Sequence, residues 1–323
     1  VKWNFKLISS STYRYPKKIY EKLKYSSSLN INDIKSLDQF YTIYLSKQII
    51  KFLKKNNAHK IDFISSHGHT VLHQPSSGIT YQIGNLPILA KLINKKVICD
   101  FRSKDVKMGG EGAPLVPVGE LKLFHQLDTF INLGGFANIT LKNQKKIIAY
   151  DICPVNLILN MLANRINKFY DKNGDLASRG KLIPELEKKL HDVKFFNIKP
   201  PKSLGVEWVK EKILPIFETY QKHTINDVLN TYTVFIAKQI SYALRGRKDA
   251  LVTGGGTFNS FLIQQIKNRT SCAICIPEEN IINFKEAIIF AFLGLLRDQR
   301  KVNCYASVTG AKQNHSSGNI FLP

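Results

Sequence analysis

The chain has 323 residues, 44% of them hydrophobic, enough to bury one large core or two adjoining ones. Lys and Arg total 47 against 24 Asp and Glu, a net charge of +23 that would suit an anionic partner, but the basic residues are scattered and no RRM signature or zinc-finger spacing occurs, so nucleic-acid binding is disfavoured. An odd set of five cysteines gives no disulfide framework, no apolar run spans a bilayer, and no signal peptide opens the chain, so a soluble cytoplasmic protein is expected.

Trp3, Phe5 and Leu7 alternate with Lys2, Asn4 and Lys6, the period of a half-buried strand. Pro16 opens a helix, as proline can in a first turn. A longer helix is predicted from Asp33 to Lys55, with Ile34, Leu37, Phe40, Tyr41, Tyr44, Leu45 and Ile49 on one face. Strands follow at 61–65, 79–83 and 97–100, with a helix near 86–93. A helix at 118–126 then leads to a strand at 129–133 and a hairpin of 137–141 with 146–150. The remainder reads as helices at 154–168, 182–190, 206–217, 227–244 and 284–297, with strands at 250–253 and 272–277. This alternation predicts α/β layers in two domains.

Glycine-bearing turns punctuate these elements: Ser66-His67-Gly68-His69-Thr70, Gly109-Gly110-Glu111-Gly112-Ala113-Pro114, Asn132-Leu133-Gly134-Gly135-Phe136-Ala137-Asn138 and Gly254-Gly255-Gly256. Such turns let backbone approach a ligand and present N–H groups to anions, which points to a nucleotide or phosphosugar enzyme. Gly254–Gly256 lie between a strand and a helix containing Asn259, so they read either as a phosphate or nucleobase site or as a tight turn. Neither G-x-x-x-x-G-K-[ST] nor G-x-G-x-x-G occurs, which disfavours Walker and Rossmann sites. Asp151, at a strand end before Pro154 and Asn156, reads as a general base or as an N-cap.

No motif in the chain is expected to form a protein metal site. Tyr170–Asp175 resembles a calcium loop but lacks the Glu at the twelfth position. His67 and His69 have no common zinc spacing, and polar substrate contacts suit them better. The lone CxxC of Cys272 and Cys275 would suit redox chemistry or half of a zinc site, but no second pair lies at metal spacing and the segment reads as a buried strand.

Taken in order, these motifs resemble the anhydro-N-acetylmuramic acid kinase family of actin-like sugar kinases. The matching stretches are His67–Thr70 with His73-Gln74-Pro75 and Thr80–Gly84, then Asp100-Phe101-Arg102 with Asp105, Gly109–Pro117 and Asn132–Thr140. Later come Tyr170–Gly180, Pro200-Pro201-Lys202-Ser203, Gly254–Gly256 with Asn259, Glu286-Ala287 and Val308-Thr309-Gly310-Ala311. The resemblance implies a two-domain actin-like, ribonuclease H-like fold around a cleft, with 1–129 and 299–323 in domain I and 130–298 in domain II. It implies ATP and Mg²⁺ as cofactors, an anhydro amino sugar as substrate, and a homodimer. The implied reaction opens the 1,6-anhydro bond of the sugar with water and phosphorylates O6, a step in peptidoglycan recycling.

By the same resemblance Asp151 falls on the family's water-activating aspartate. Gly134, Gly135, Asn138, Gly254, Gly255, Gly256 and Asn259 would line the nucleotide cleft. His67, Thr70, Arg102, Asp105, Asn156 and Glu286 would face the sugar, Arg102 on its lactyl carboxylate. Three departures stand out. Ile152-Cys153-Pro154-Val155-Asn156 replaces Thr-Gly-Pro-Gly-Asn, adding side chains where backbone should approach substrate. His69 replaces a usual Gln. The family's opening Ser-Gly-Thr-Ser-x-Asp-Gly turn has no counterpart, and the strand at Trp3–Leu7 resembles a later one. On that reading an exposed sheet edge is expected, and the alternative function is an inactive remnant or pseudokinase that binds sugar or nucleotide.

Overall fold

The computed structural model describes residues 2–58, 60–143, 146–200 and 202–323. Gln144 and Lys145 of the basic hairpin run, and Pro201 of the Pro-Pro-Lys-Ser stretch, lie outside the described residues. The strands in chain order are β1 (Ile64–Ser66), β2 (His69–Gln74), β3 (Ile79–Ile83), β4 (Val97–Cys99), β5 (Thr129–Leu133), β6 (Phe136–Asn143), β7 (Lys146–Pro154), β8 (Asp249–Thr253), β9 (Ala273–Cys275) and β10 (Asn319–Phe321). Two units divide the chain, unit 1 reaching Phe124 and resuming at Glu286–Pro323, unit 2 being His125–Lys285.

In unit 1, Asn30 caps the helix Ile31–Lys55, its side chain accepting from the N–H groups of Asn32 and Asp33. Ile34, Leu37 and Tyr41 turn inward, whereas Phe40 stays 40% exposed on the flank of that face. Asp38, buried in the same helix, accepts from the Gly84 N–H at 2.7 Å and the Tyr81 hydroxyl at 2.9 Å, fastening the helix to β3. One sheet has the order β1-β4-β10, with β1 parallel and β10 antiparallel to β4. A separate hairpin pairs β2 with β3. β2 takes up most of the histidine segment expected as a loop; its polar composition and the register shift between Thr70 and Leu72 leave no regular alternation to read.

The boundary expected at 129/130 and the placement of 286–298 in the second domain are both corrected. Ile289, Phe290, Phe292, Leu293 and Leu296 of the helix Glu279–Asp298 pack with Ile98, Phe101, Leu115 and Val118, so that stretch belongs to unit 1. The N-terminal alternation is also real but forms no strand. Trp3 packs edge-on against Phe292 and Phe5 against Phe124, while no ladder partner engages residues 2–15 among the described residues.

Unit 2 carries a five-stranded sheet of order β7-β6-β5-β8-β9. β5, β6 and β7 form an antiparallel meander, and β8 and β9 run parallel to β5. This is the ribonuclease H-like layering that the resemblance implies. The helix Ile225–Ala243 is buried on most of its faces. Within it Tyr232 is fully buried and donates its hydroxyl to the Pro154 carbonyl at 2.9 Å, tying down the end of β7. Among the described residues no helix is long and apolar enough to cross a membrane.

Candidate functional site

Side chains directly opposite each other in a ladder share a face of the sheet. In unit 2 that rule aligns four polar residues across four strands. Asp151 on β7 stands opposite Asn138 on β6, Asn138 opposite Asn132 on β5, and Asn132 opposite Thr253 on β8. Asn132, quoted only as part of a glycine motif, and Thr253 are not among the site residues expected from the sequence, because the register that joins them is non-local.

Asp151 lies inside β7, which runs on to Pro154, and the next helix begins at Asn156. It therefore caps nothing. Its Oδ2 accepts from the Leu204 N–H at 2.8 Å and from the Ser203 hydroxyl at 3.4 Å. Burial raises its pKa above the usual aspartate range, against the opposing pull of those two donors. A half-buried carboxyl held by two donors and biased toward keeping its proton is suited to receiving one. Cys153 and Val155 were expected to intrude on the substrate side. Both are fully buried in the core beside Ile158 and Leu162, so their side chains point away from the polar row.

Beyond the ends of β5 and β8 the glycine turns converge. A Cβ on Gly254, whose φ is +88°, would lie 2.7 Å from the Leu133 carbonyl oxygen. One on Gly256 would lie 2.7 Å from the Leu133 Cβ. Only glycine allows this approach. The helix Asn156–Asn164 is stitched to the other turn: Val155 and Asn156 donate their N–H groups to the carbonyls of Gly135 and Gly134, and Asn156 Nδ2 donates to Leu133 O at 3.2 Å. Gly135 and Asn138 are exposed. A cavity of about 400 Å³ opens here, bounded by Asn156, Gly255, Phe258, Asn259 and Tyr170. Asn259 serves the framework as well, because its Oδ1 accepts from the Leu262 N–H at 2.9 Å and caps the following helix. Phe258 and Tyr170 are 43% and 58% exposed at its rim; an aromatic beside a glycine turn is the signal that could have marked them. Gly254→Ala is expected to cost roughly 1–3 kcal/mol through strain at positive φ. Thermal unfolding reads this directly, and an unchanged midpoint would show that the turn relaxes freely.

Unit 1 gathers a second group. His67 Nδ1 lies 3.0 Å from the Gly68 carbonyl, which can only accept, so Nδ1 carries the proton and Nε2 is the acceptor. Arg102 donates to that Nε2 from Nε at 3.0 Å and Nη2 at 2.9 Å, and from Nη1 to the Gly112 carbonyl at 2.7 Å. Phe290 lies edge-on to the His67 ring and under the guanidinium. Exposed Glu286 is close enough for its charge to act on both Arg102 and His67. Among the described residues three of the five guanidinium N–H bonds are thus used, leaving two to meet an anion. Thr70 is exposed on β2, opposite Gln82.

Asp105 is a correction. It is fully buried and accepts from the Gly112 N–H, the Thr309 hydroxyl and the Cys304 thiol, so it pins the Gly109–Gly112 loop rather than facing substrate.

Burial, then the Arg102 charge, lowers the His67 pKa below 6.5. The folded state therefore binds this proton more weakly than the unfolded chain does. Stability from neutral His67 is complete above 6.5 and is lost as pH falls toward the lower folded value. His67→Gln, which keeps an acceptor for Arg102, should flatten that part of the stability–pH curve, and an unaltered curve would remove His67 as its cause.

A family profile described as anhydro-N-acetylmuramic acid kinase matches residues 2–323. The anhydro-N-acetylmuramic acid kinase of Bacillus cereus is 33% identical over 290 residues, 82% of this chain and 74% of that protein. The one from Bacillus thuringiensis subsp. konkukian is 33% identical over 292 residues, covering 82% and 76%. Among solved structures, the activator of 2-hydroxyisocaproyl-CoA dehydratase from Clostridium difficile, with bound ADPNP, aligns at a TM-score of 0.35 and 16% identity, over 54% of this chain and 62% of that one.

Proposed function

Because this chain belongs to the anhydro-N-acetylmuramic acid kinase family, we propose that it uses ATP to convert 1,6-anhydro-N-acetylmuramic acid into N-acetylmuramic acid 6-phosphate. In this reading Asp151 takes a proton from water as the water oxygen bonds to the anomeric carbon. The bond from that carbon to O6 breaks, and O6 takes the γ-phosphoryl group, releasing ADP. Atoms balance with one water consumed per ATP. The observation that carries the reading is Asp151 itself, held by Leu204 and Ser203 at one end of a polar row beside two glycine turns.

The nucleotide fits what unit 2 offers. Gly134, Gly135 and Gly254–Gly256 would pass close to its phosphates, and Tyr170 and Phe258 could sandwich or edge its base in the 400 Å³ cavity. Mg²⁺, when bound, would neutralise charge on the transferring phosphoryl group. No cage of carboxylates surrounds these turns among the described residues, which fits an ion held chiefly by phosphate oxygens and water. In unit 1 the two unused guanidinium N–H bonds of Arg102 suit the lactyl carboxylate, and Thr70 and Glu286 would contact sugar hydroxyls.

The test is to incubate the chain with the anhydro sugar, MgATP and ¹⁸O-water and to identify the product by mass spectrometry. The expected product carries one phosphoryl group on O6 and one ¹⁸O on the anomeric carbon. ATP turnover without such a product, or phosphorylation without ¹⁸O, would overturn the proposed reaction. Nucleotide or sugar binding with no turnover at all would favour the non-catalytic reading.

A further inference from the structure

Asp105, Cys304 and His315 bury three different metal-binding donors at one point of unit 1. Asp105 Oδ1, Cys304 Sγ and His315 Nε2 all lie within 4.8 Å of one another. Asp105 and Cys304 are fully buried and His315 is 6% exposed. The two C-terminal donors are preset by backbone. Cys304 and His315 face each other in an antiparallel bridge, with N–H···O bonds of 3.1 and 3.2 Å in the two directions.

The histidine is oriented with nothing to bind. Its Nδ1 lies 3.1 Å from the Gln313 carbonyl, which can only accept, so Nδ1 bears the proton. Its Nε2 points at Asp105 Oδ1 from 3.5 Å and has no hydrogen-bond partner among the described residues. A buried lone pair set against a carboxyl oxygen is costly unless a cation or proton lies between them. An Nδ1–H held by a carbonyl is also the usual outer contact of a metal-bound histidine.

We propose that Asp105, Cys304 and His315 bind one borderline-soft divalent cation, zinc being the best match. Thiolate, imidazole nitrogen and carboxylate oxygen are the donor types that zinc takes tetrahedrally. Thr309 Oγ1, 2.8 Å from Asp105 Oδ1, or one water completes the fourth position. On binding, the Cys304 S–H proton leaves to solvent as the sulfur–metal bond forms. Two anionic ligands then balance the dication, so the buried site is neutral overall. Cys304 Sγ and Asp105 Oδ1, now 2.9 Å apart in an S–H···O contact, separate slightly as that proton is replaced.

The ion would act on the Gly109–Gly112 loop. Asp105 Oδ2 holds the Gly112 N–H at 2.7 Å, the Gly112 carbonyl holds Arg102, and Glu111 donates its N–H to the Thr309 carbonyl at 2.7 Å. A metal here would therefore tighten the seat of Arg102 from behind. This inference is independent of the proposed reaction, since its readout is the metal.

Co²⁺ titrated into the whole chain, purified without chelator, provides the test. One Co²⁺ per chain with a thiolate-to-cobalt charge-transfer band and tetrahedral d–d bands is expected, with Zn²⁺ displacing it and raising the unfolding midpoint. The band should persist in the double variant Cys272→Ser, Cys275→Ser, which removes the CxxC of unit 2. It should vanish in Cys304→Ser, and His315→Gln should weaken affinity at least about tenfold. Absence of the band in the wild-type chain overturns the proposal without recourse to any variant. So does a band that survives Cys304→Ser and disappears with the CxxC.

Discussion

Asp151→Asn is expected to slow sugar phosphorylation by about 10²–10⁴-fold while nucleotide affinity stays nearly unchanged. The amide oxygen can still accept from Leu204 and Ser203, so the strand end keeps its contacts. What it loses is the ability to take a proton from water. Initial rates with the anhydro sugar and calorimetric nucleotide binding separate the two effects, and turnover near the wild-type rate would remove Asp151 from the base role. The pH dependence adds a second check. Activity requires the ionised carboxyl, whose pKa is raised above 3.8 by burial, so the acid limb of kcat/KM should lie above that of a free aspartate. A raised acid is protonated more readily in the folded state, so its ionisation at neutral pH costs stability. The asparagine variant should accordingly unfold at no lower a temperature than the wild type.

Arg102→Ala is expected to raise the KM for the anhydro sugar while that for ATP barely moves. A charge-assisted contact to a carboxylate is worth ~1.5–3 kcal/mol, roughly 10- to 150-fold in binding. Loss of uniform binding shows in KM with little change in kcat. Arg102→Lys keeps the charge but cannot hold His67 and the Gly112 carbonyl together while offering a flat pair of donors. It should recover only part of the loss. Equal effects on the two KM values would refute the carboxylate contact.

Much of the fold is legible in the sequence where local pattern decides it. The helices expected from Asp33 and from 227 are present, each beginning two residues earlier behind the N-caps Asn30 and Thr224, and β3 and β5 span the residues that alternation and apolar runs predict. What remains hidden is set by non-local partners. The alternation of Trp3, Phe5 and Leu7 cannot reveal that aromatic rings, not a neighbouring strand, hold the segment. Nor can it tell that Ile289 and Leu293 pack under β4 rather than with the preceding residues.

The site divides along the same line. The glycine turns themselves are legible, and at two of their positions, Gly254 and Gly256, a Cβ would press on Leu133. The alignment of Asp151 with Asn138, Asn132 and Thr253 depends on register across four strands. Asp105 looks like a site residue in a motif and proves to be a buried acceptor, since its partners Thr309, Cys304 and His315 come from about 200 residues away in the chain. Cys153 and Val155 could be read only as additions, because the direction of a side chain at a strand end follows from packing.

The split of unit 1 into two stretches of chain has a consequence for synthesis. Unit 2 is continuous, so all of its contacts are available once Lys285 has emerged from the ribosome. Unit 1 must wait. Its helix residues Ile289–Leu296, the acceptor cluster at Thr309 and the strand β10 are translated after unit 2, although they complete a core begun with Ile98 and Phe101. At about 5–20 residues per second, the early part of unit 1 spends many seconds with its apolar face uncovered while the whole of unit 2 is made. A nascent chain stalled once Lys285 has emerged should therefore carry a protease-resistant unit 2 and a cleavable unit 1, and chaperone demand should fall on the part of unit 1 that is made before unit 2 and completed after it.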